Sequence, residues 1–176
     1  VTINIGANSY YTAVAVGDIV NQPLALLQLE DNNTAPAAGN FKLRLGHLAP
    51  FASALVDTTA DVRLDDGTVI LDDVVFGAVA AYAEFPAGEY DLKITTPDGG
   101  TTLIDLAPVT FTEGQILSAF AVGNGIFKDL GGYALPYDAA GFFLPLEGLT
   151  ARLQVAHLAP FADPATVDIS LNGAPV

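Results

Sequence analysis

The chain has no cysteine, no methionine and no tryptophan, and only six of its 176 residues are basic. Without cysteine there are neither disulfides nor thiolate metal sites, so stability has to come from apolar burial. The missing methionine leads us to expect that these residues do not begin at a start codon. The six cations (Lys42, Arg44, Arg63, Lys93, Lys128 and Arg152) are scattered among twenty acidic residues, for a net charge of −14. Nucleic-acid binding needs clustered cations to displace counterions from phosphate, and an anionic membrane surface would repel this chain, so neither is an expected partner. No apolar run approaches the ~18 residues of a membrane span. The longest, Val74 to Ala83, has ten.

Catalytic signatures are missing too. There is no Gly-x-Ser-x-Gly, no His-Glu-x-x-His and no glycine-rich phosphate loop followed by Lys-Ser/Thr. Gly123-Asn124-Gly125 opens a dinucleotide-like string, but Lys128 stands where its third glycine belongs. The expectation is a protein that is not an enzyme and takes no cofactor.

What is present is apolar and periodic. Half of the residues are apolar (51%) and the mean hydropathy is +0.44, more than one small domain needs for its interior. Subunit contacts are the natural place for the surplus, although many alanines also raise the average. Phe41, Leu43, Leu45 and His47 alternate with Lys42, Arg44 and Gly46, and Glu89–Thr95 alternates in the same way, as half-buried strands do. Strands are also expected over Val1–Ile5, Tyr10–Val16, Leu24–Leu29, Asp61–Leu64, Thr68–Leu71, Val74–Phe76, Val79–Phe85, Thr101–Leu106, Val109–Thr112 and Ile116–Val122. Turn chemistry separates them at Asp65-Asp66-Gly67, Pro86-Ala87-Gly88, Pro97-Asp98-Gly99-Gly100 and Asn172-Gly173. Short strands with such turns every 8–12 residues read as an all-β sandwich.

The chain also repeats itself. His47-Leu48-Ala49-Pro50-Phe51 returns unchanged at His157-Leu158-Ala159-Pro160-Phe161, 110 residues on. Tyr11-Thr12-Ala13-Val14-Ala15-Val16-Gly17 is echoed by Leu117-Ser118-Ala119-Phe120-Ala121-Val122-Gly123, 106 residues on. A fixed period marks an array whose neighbouring units complete one another. The expected organisation is the end of a preceding repeat plus a polar linker over 1–40, a complete unit over 41–150, and the first strands of a following repeat over 151–176.

Candidate sites are few. His47 and His157 sit on the apolar side of their strands just before Pro50 and Pro160, where a histidine is expected to bond a buried turn carbonyl rather than to move protons. Asp61, Asp65 and Asp66 form the one candidate calcium set, because hard oxygen ligands at close spacing suit that ion. They lack the spacing of a known calcium loop, so a solvated acidic hairpin is the competing reading. Asn32-Asn33-Thr34 is a glycosylation sequon in the expected linker, which makes Asn32 a glycan acceptor if the chain is secreted. Tyr10, Tyr11, Tyr82, Tyr133 and Tyr137 either pack against the fold or stack on sugars.

The His-Leu-Ala-Pro strand ends, the later Val167-Asp168-Ile169-Ser170-Leu171-Asn172-Gly173 and the Pro86-Ala87-Gly88-Glu89-Tyr90 strand together resemble a prokaryotic extracellular family, the domain of unknown function 4397. The resemblance spans residues 41 to about 125 and recurs in the last 25 or so. It implies immunoglobulin-like antiparallel β-sandwich repeats, here one complete and two partial, on secreted or cell-surface proteins, often in tandem and with no known activity. From the repeats and the resemblance together, the expected function is an extracellular structural protein. Its partner is itself, in a head-to-tail homopolymer joined by strand complementation into a surface filament. A surface adhesin with a glycan ligand is the alternative.

Overall fold

The computed structural model describes residues 5–137 and 144–149, together with the backbone of 170–171 and 174–175. Strands β1 (Tyr10–Val16) and β2 (Ala25–Asp31) form a hairpin. Strand β3 (Asn40–His47) follows; a 3₁₀ turn (Leu55–Thr58) leads from it into β4 (Ala60–Leu64) and β5 (Val69–Val74). Next come β6 (Ala83–Pro86), β7 (Gly88–Tyr90), β8 (Leu92–Thr95), β9 (Thr102–Asp105) and β10 (Val109–Phe111). The series closes with β11 (Ile116–Val122), β12 (Gly131–Pro136), β13 (Leu144–Leu146), β14 (Ser170–Leu171) and β15 (Ala174–Pro175).

A five-stranded sheet, in the order β13-β12-β11-β3-β6, faces a four-stranded sheet, β5-β4-β8-β9. Between them lie Phe41, Leu43, Leu92, Ile104, Leu106, Leu117, Ala119, Ala121 and Ala134, all buried. The fold is therefore the all-β sandwich its periodicity predicts. Phe41, 1% exposed, closes one end by stacking on Phe111 at 4.5 Å between ring centres, with the Tyr90 ring edge-on at 5.4 Å. Offset and edge-on pairs of this kind add about 1 kcal/mol each beyond the area they bury.

One pairing departs from an all-antiparallel sandwich. Strand β3 runs parallel to β11, with Ile116 opposite Lys42 and Ala121 opposite His47. Alternation tells which face a side chain takes and is silent on strand direction. A parallel pair at the centre of a sheet is covered on both faces, and both strands are buried through almost their whole length. The cover on the outer face is the β1–β2 hairpin. Val14, Val16, Leu27 and Leu29 pack there against Leu48, Val79, Phe120 and Val122 as a second apolar cluster.

Other boundaries shift for local reasons. The two strands expected over 68–71 and 74–76 merge into β5, whose pairing with β4 is broken by irregularities of register. Val79 makes only an isolated bridge, to Gly46, and regular pairing resumes at Ala83. The expected strand Val1–Ile5 lies, apart from Ile5, outside the described residues. The 30–40 stretch is a linker only in part, since Glu30 and Asp31 complete β2.

Candidate functional site

The hairpin β1–β2 repeats β11–β12 in register, and β1 repeats β11 in sequence as well. Val16 faces Ala25 as Val122 faces Gly131, and Tyr11 faces Glu30 as Leu117 faces Pro136, each position moved by 106. The two hairpins also meet through equivalent faces. Thr12, Val14 and Val16 point toward the unit from one side, and Ser118, Phe120 and Val122 are their equivalents on the other.

The turns are copies too. Asp18 accepts hydrogen bonds through Oδ1 from the backbone N–H groups of Val20, Asn21 and Gln22, at 2.8–3.1 Å. Asn124 does the same for Ile126, Phe127 and Lys128, at 2.9–3.4 Å. Preceding each is a glycine at φ of about +95°, Gly17 and Gly123. There a Cβ would overlap the carbonyl oxygen of Pro23 and of Asp129 respectively, so only glycine fits. The two turns are tied directly, Asn124 Nδ2 donating to Asp18 Oδ2 at 2.8 Å. The bond from the Gln22 N–H holds the Asp18 carboxyl below its ordinary value, aided by Asn124.

Two cations lock the same interface. Arg44 is 3% exposed. Its Nε donates to Ser118 Oγ at 2.9 Å, Nη1 to the Glu30 carbonyl at 3.0 Å and Nη2 to Asp31 Oδ1 at 2.7 Å. Its guanidinium carbon lies 4.6 Å from the centre of the Tyr82 ring. Lys42, also buried, donates to the Thr34 carbonyl. A guanidinium so far removed from solvent needs this full set of acceptors. The sequence places both residues opposite the core-facing side chains of β3 but not beneath a second layer.

Beside the interface runs an open groove of about 890 Å³, lined among others by Tyr10, Gln28, Asn32, Arg44 and Tyr82. It gathers two of the five tyrosines proposed for stacking. Tyr137 meets Tyr10 edge-on at 5.9 Å. Tyr11 takes the opposite face of β1, and Tyr133 lies near Lys128, 5.4 Å from its ammonium. The sequon residue Asn32 is exposed at this rim; its Oδ1 accepts from the Thr34 N–H at 3.1 Å and from Lys42 Nζ at 3.4 Å.

His47 is buried, with Nε2 2.7 Å from the carbonyl oxygen of Thr58. A carbonyl only accepts, so Nε2 carries the proton, and Nδ1 accepts from the Ala49 N–H at 3.4 Å. Both nitrogens of the neutral ring are therefore engaged. Burial holds its pKa below the ordinary 6.5, against a smaller opposite pull from the Thr58 bond. The Pro50 carbonyl accepts from Asn21 Nδ2 at 2.8 Å, which ties the His-Leu-Ala-Pro turn to the hairpin. His157 and Pro160 lie outside the described residues.

Asp61, Asp65 and Asp66 do not converge. Asp61 is fully buried and satisfied by Arg63 Nη2 at 2.6 Å and the Asp73 N–H at 2.8 Å. Asp65 pairs with Lys93 at 3.3 Å, and Asp66 caps the Thr68 N–H at 2.9 Å. The carboxylates that do approach Asp61 are Asp72 and Asp73, with ligand atoms within 4.8 Å, both exposed. With Arg63 already on its oxygen, Asp61 serves as the anchor of an ion pair.

The structure thus brings together what sequence left separate. One signal was available, because the distance from Asp18 to Asn124 equals the 106-residue echo. The family model described as "Domain of unknown function (DUF4397)" matches residues 1–59 and 53–170. No curated protein matches the chain. Among solved structures, it is similar to the C-terminal domain of AlgF from P. aeruginosa, at 19% identity and a TM-score of 0.42, over 56% of this chain and 98% of that one.

Proposed function

We propose that this chain, which belongs to the DUF4397 family, is a non-enzymatic structural protein of the cell exterior, assembling head-to-tail through strand complementation. One observation carries the reading. The β1–β2 hairpin has the register, turn and packing face of β11–β12, but among the described residues it lacks the neighbour strand and facing sheet that β11–β12 possesses. A sheet edge with free N–H and C=O groups templates the addition of another strand. A contact made between different surfaces of two copies does not close on itself unless the rotation happens to return, and it grows into filaments. Sedimentation velocity over a hundredfold concentration range tests this. Mass that rises with concentration is the expected result, and a constant monomer mass overturns it.

The tyrosine-lined groove supports a second reading, a glycan-binding module. Aromatic faces set among amides and carboxylates suit a sugar, and Tyr10, Tyr82, Gln28 and Asn32 supply both kinds of group in one place. Glycan-array binding that Tyr82→Ala removes without altering sedimentation would favour it; an array silent for the unaltered chain would discard it.

A further inference from the structure

We propose that the edge of β1 that no described strand pairs receives residues 152–157 of a second copy as a parallel strand, with Tyr10 opposite Arg152 and Ala15 opposite His157. This rests on the head-to-tail reading above and specifies its joint.

The register follows from two equivalences. Strand β1 corresponds to β11 at a distance of 106 residues, and residues 152–157 correspond to 42–47 at a distance of 110. In the complete unit those two segments are parallel neighbours, Ile116 opposite Lys42 through Ala121 opposite His47. No backbone hydrogen bond joins β1 to any strand but β2 among the described residues. Among the described residues, no strand takes beside β1 the place that β3 takes beside β11.

The faces agree with this assignment. Leu117, Ala119 and Ala121 are buried to 4%, 8% and 8% exposure because they look into their own sandwich. Their equivalents Tyr11, Ala13 and Ala15 are half-buried, exposed and exposed. Small apolar side chains on a bare strand face match a core that another chain completes. A parallel neighbour set in this register carries Leu153 and Val155 to that same side, beside Tyr11 and Ala13, as Leu43 and Leu45 stand beside Leu117 and Ala119.

Side-chain volume agrees as well. Gly46 sits opposite Phe120, and a Cβ on it would lie 2.8 Å from the Phe120 ring and 3.0 Å from Val79, so the ring excludes even a methyl group. In the proposed joint the corresponding pair is Ala156 opposite Val14. The following repeat carries the extra methyl where the facing residue has lost an aromatic ring. This paired exchange favours a strand from the following repeat over an unrelated peptide.

The chain has no native cysteine, which makes the test direct. Ala13→Cys and Val155→Cys are introduced into separate chains, which are mixed and mildly oxidised. Directly opposed residues on paired strands fall within the Cα separation a disulfide spans. The expected result is a disulfide-linked dimer in this mixture and much less with Leu153→Cys, two residues out of register. As a second probe, a synthetic peptide of residues 150–161 should shorten the assemblies by capping β1. Filaments that form without the Ala13–Val155 cross-link and ignore the peptide overturn the joint while leaving polymerisation intact. A cross-link formed only within a single doubly substituted chain also overturns it. Absence of any assembly removes the head-to-tail reading and the joint together.

Discussion

Asn124 Nδ2 donates a 2.8 Å hydrogen bond to Asp18 Oδ2, and each of these residues is the other's counterpart one repeat away. Asp18 also collects three backbone N–H groups of its own turn with its other oxygen, Oδ1, and Asn124 does the same with its single side-chain oxygen. Two successive repeats are therefore held through the same feature used twice, approached from opposite sides. The difference between them is chemical: a carboxylate on one side needs a donor, and the amide on the other supplies it.

That pairing gives the first prediction. Asn124→Ala removes an acceptor for three backbone donors and should cost about 1–2 kcal/mol. Asp18→Ala should also destabilise. Urea unfolding of the single and double variants should show less than additive loss, since the pair is in direct contact.

Backbone conformation at the same turns gives the second. Gly123→Ala combines a left-handed φ with overlap of the Asp129 carbonyl, and should cost about 2 kcal/mol or more. Gly114→Ala has a similar φ, +83°, and open space around it, so it should cost only about 1 kcal/mol. Thermal unfolding of the two variants side by side separates dihedral strain from collision.

Arg44 tests whether the hairpin is locked onto the unit. Arg44→Ala leaves Asp31 and Ser118 facing an empty site, and breaking a buried pair from one side costs about 3–5 kcal/mol. Release of the hairpin should show as faster proteolytic cleavage within residues 32–39. Arg44→Lys should rescue little, because one ammonium cannot reach Ser118, the Glu30 carbonyl and Asp31 together.

His47 makes stability depend on pH. The folded ring titrates below its ordinary 6.5 because burial disfavours the charged form. Between the lowered value and 6.5 the unfolded chain binds more protons, so stability falls as pH drops below about 6.5 and is fully present above it. Protonation also ends the bond that Nδ1 accepts from Ala49. His47→Gln should lose this limb, so that it appears as the pH-dependent difference in stability between parent and variant. The carboxyls of Asp18, Asp66, Glu84 and Asp98, held low mainly by backbone and hydroxyl donors, add a separate loss at more acid pH.

The sandwich was legible because alternation and turn residues are local: Phe41, Leu43 and Leu45 announce a core face without reference to any partner. The repeat echo was equally visible, since Thr12–Gly17 and Ser118–Gly123 can be compared by eye. Strand direction was not legible. The parallel placement of β3 beside β11 depends on a crossover of some seventy residues, which leaves no mark on either strand. The buried roles of Lys42 and Arg44 were hidden because two cations on the polar side of a strand look solvated until a second layer covers them. The separate roles of the carboxylates were hidden for a related reason. Asp61 and Asp65 are close in sequence, yet Asp61 points inward to Arg63 and Asp65 outward to Lys93.

Electron microscopy of the native, undenatured protein tests the central claim most directly. Filaments of constant width, with an axial repeat of one unit and each β1–β2 hairpin covered by a neighbouring chain, are the predicted result. Discrete particles of uniform size with the outer edge of β1 exposed to solvent would contradict it.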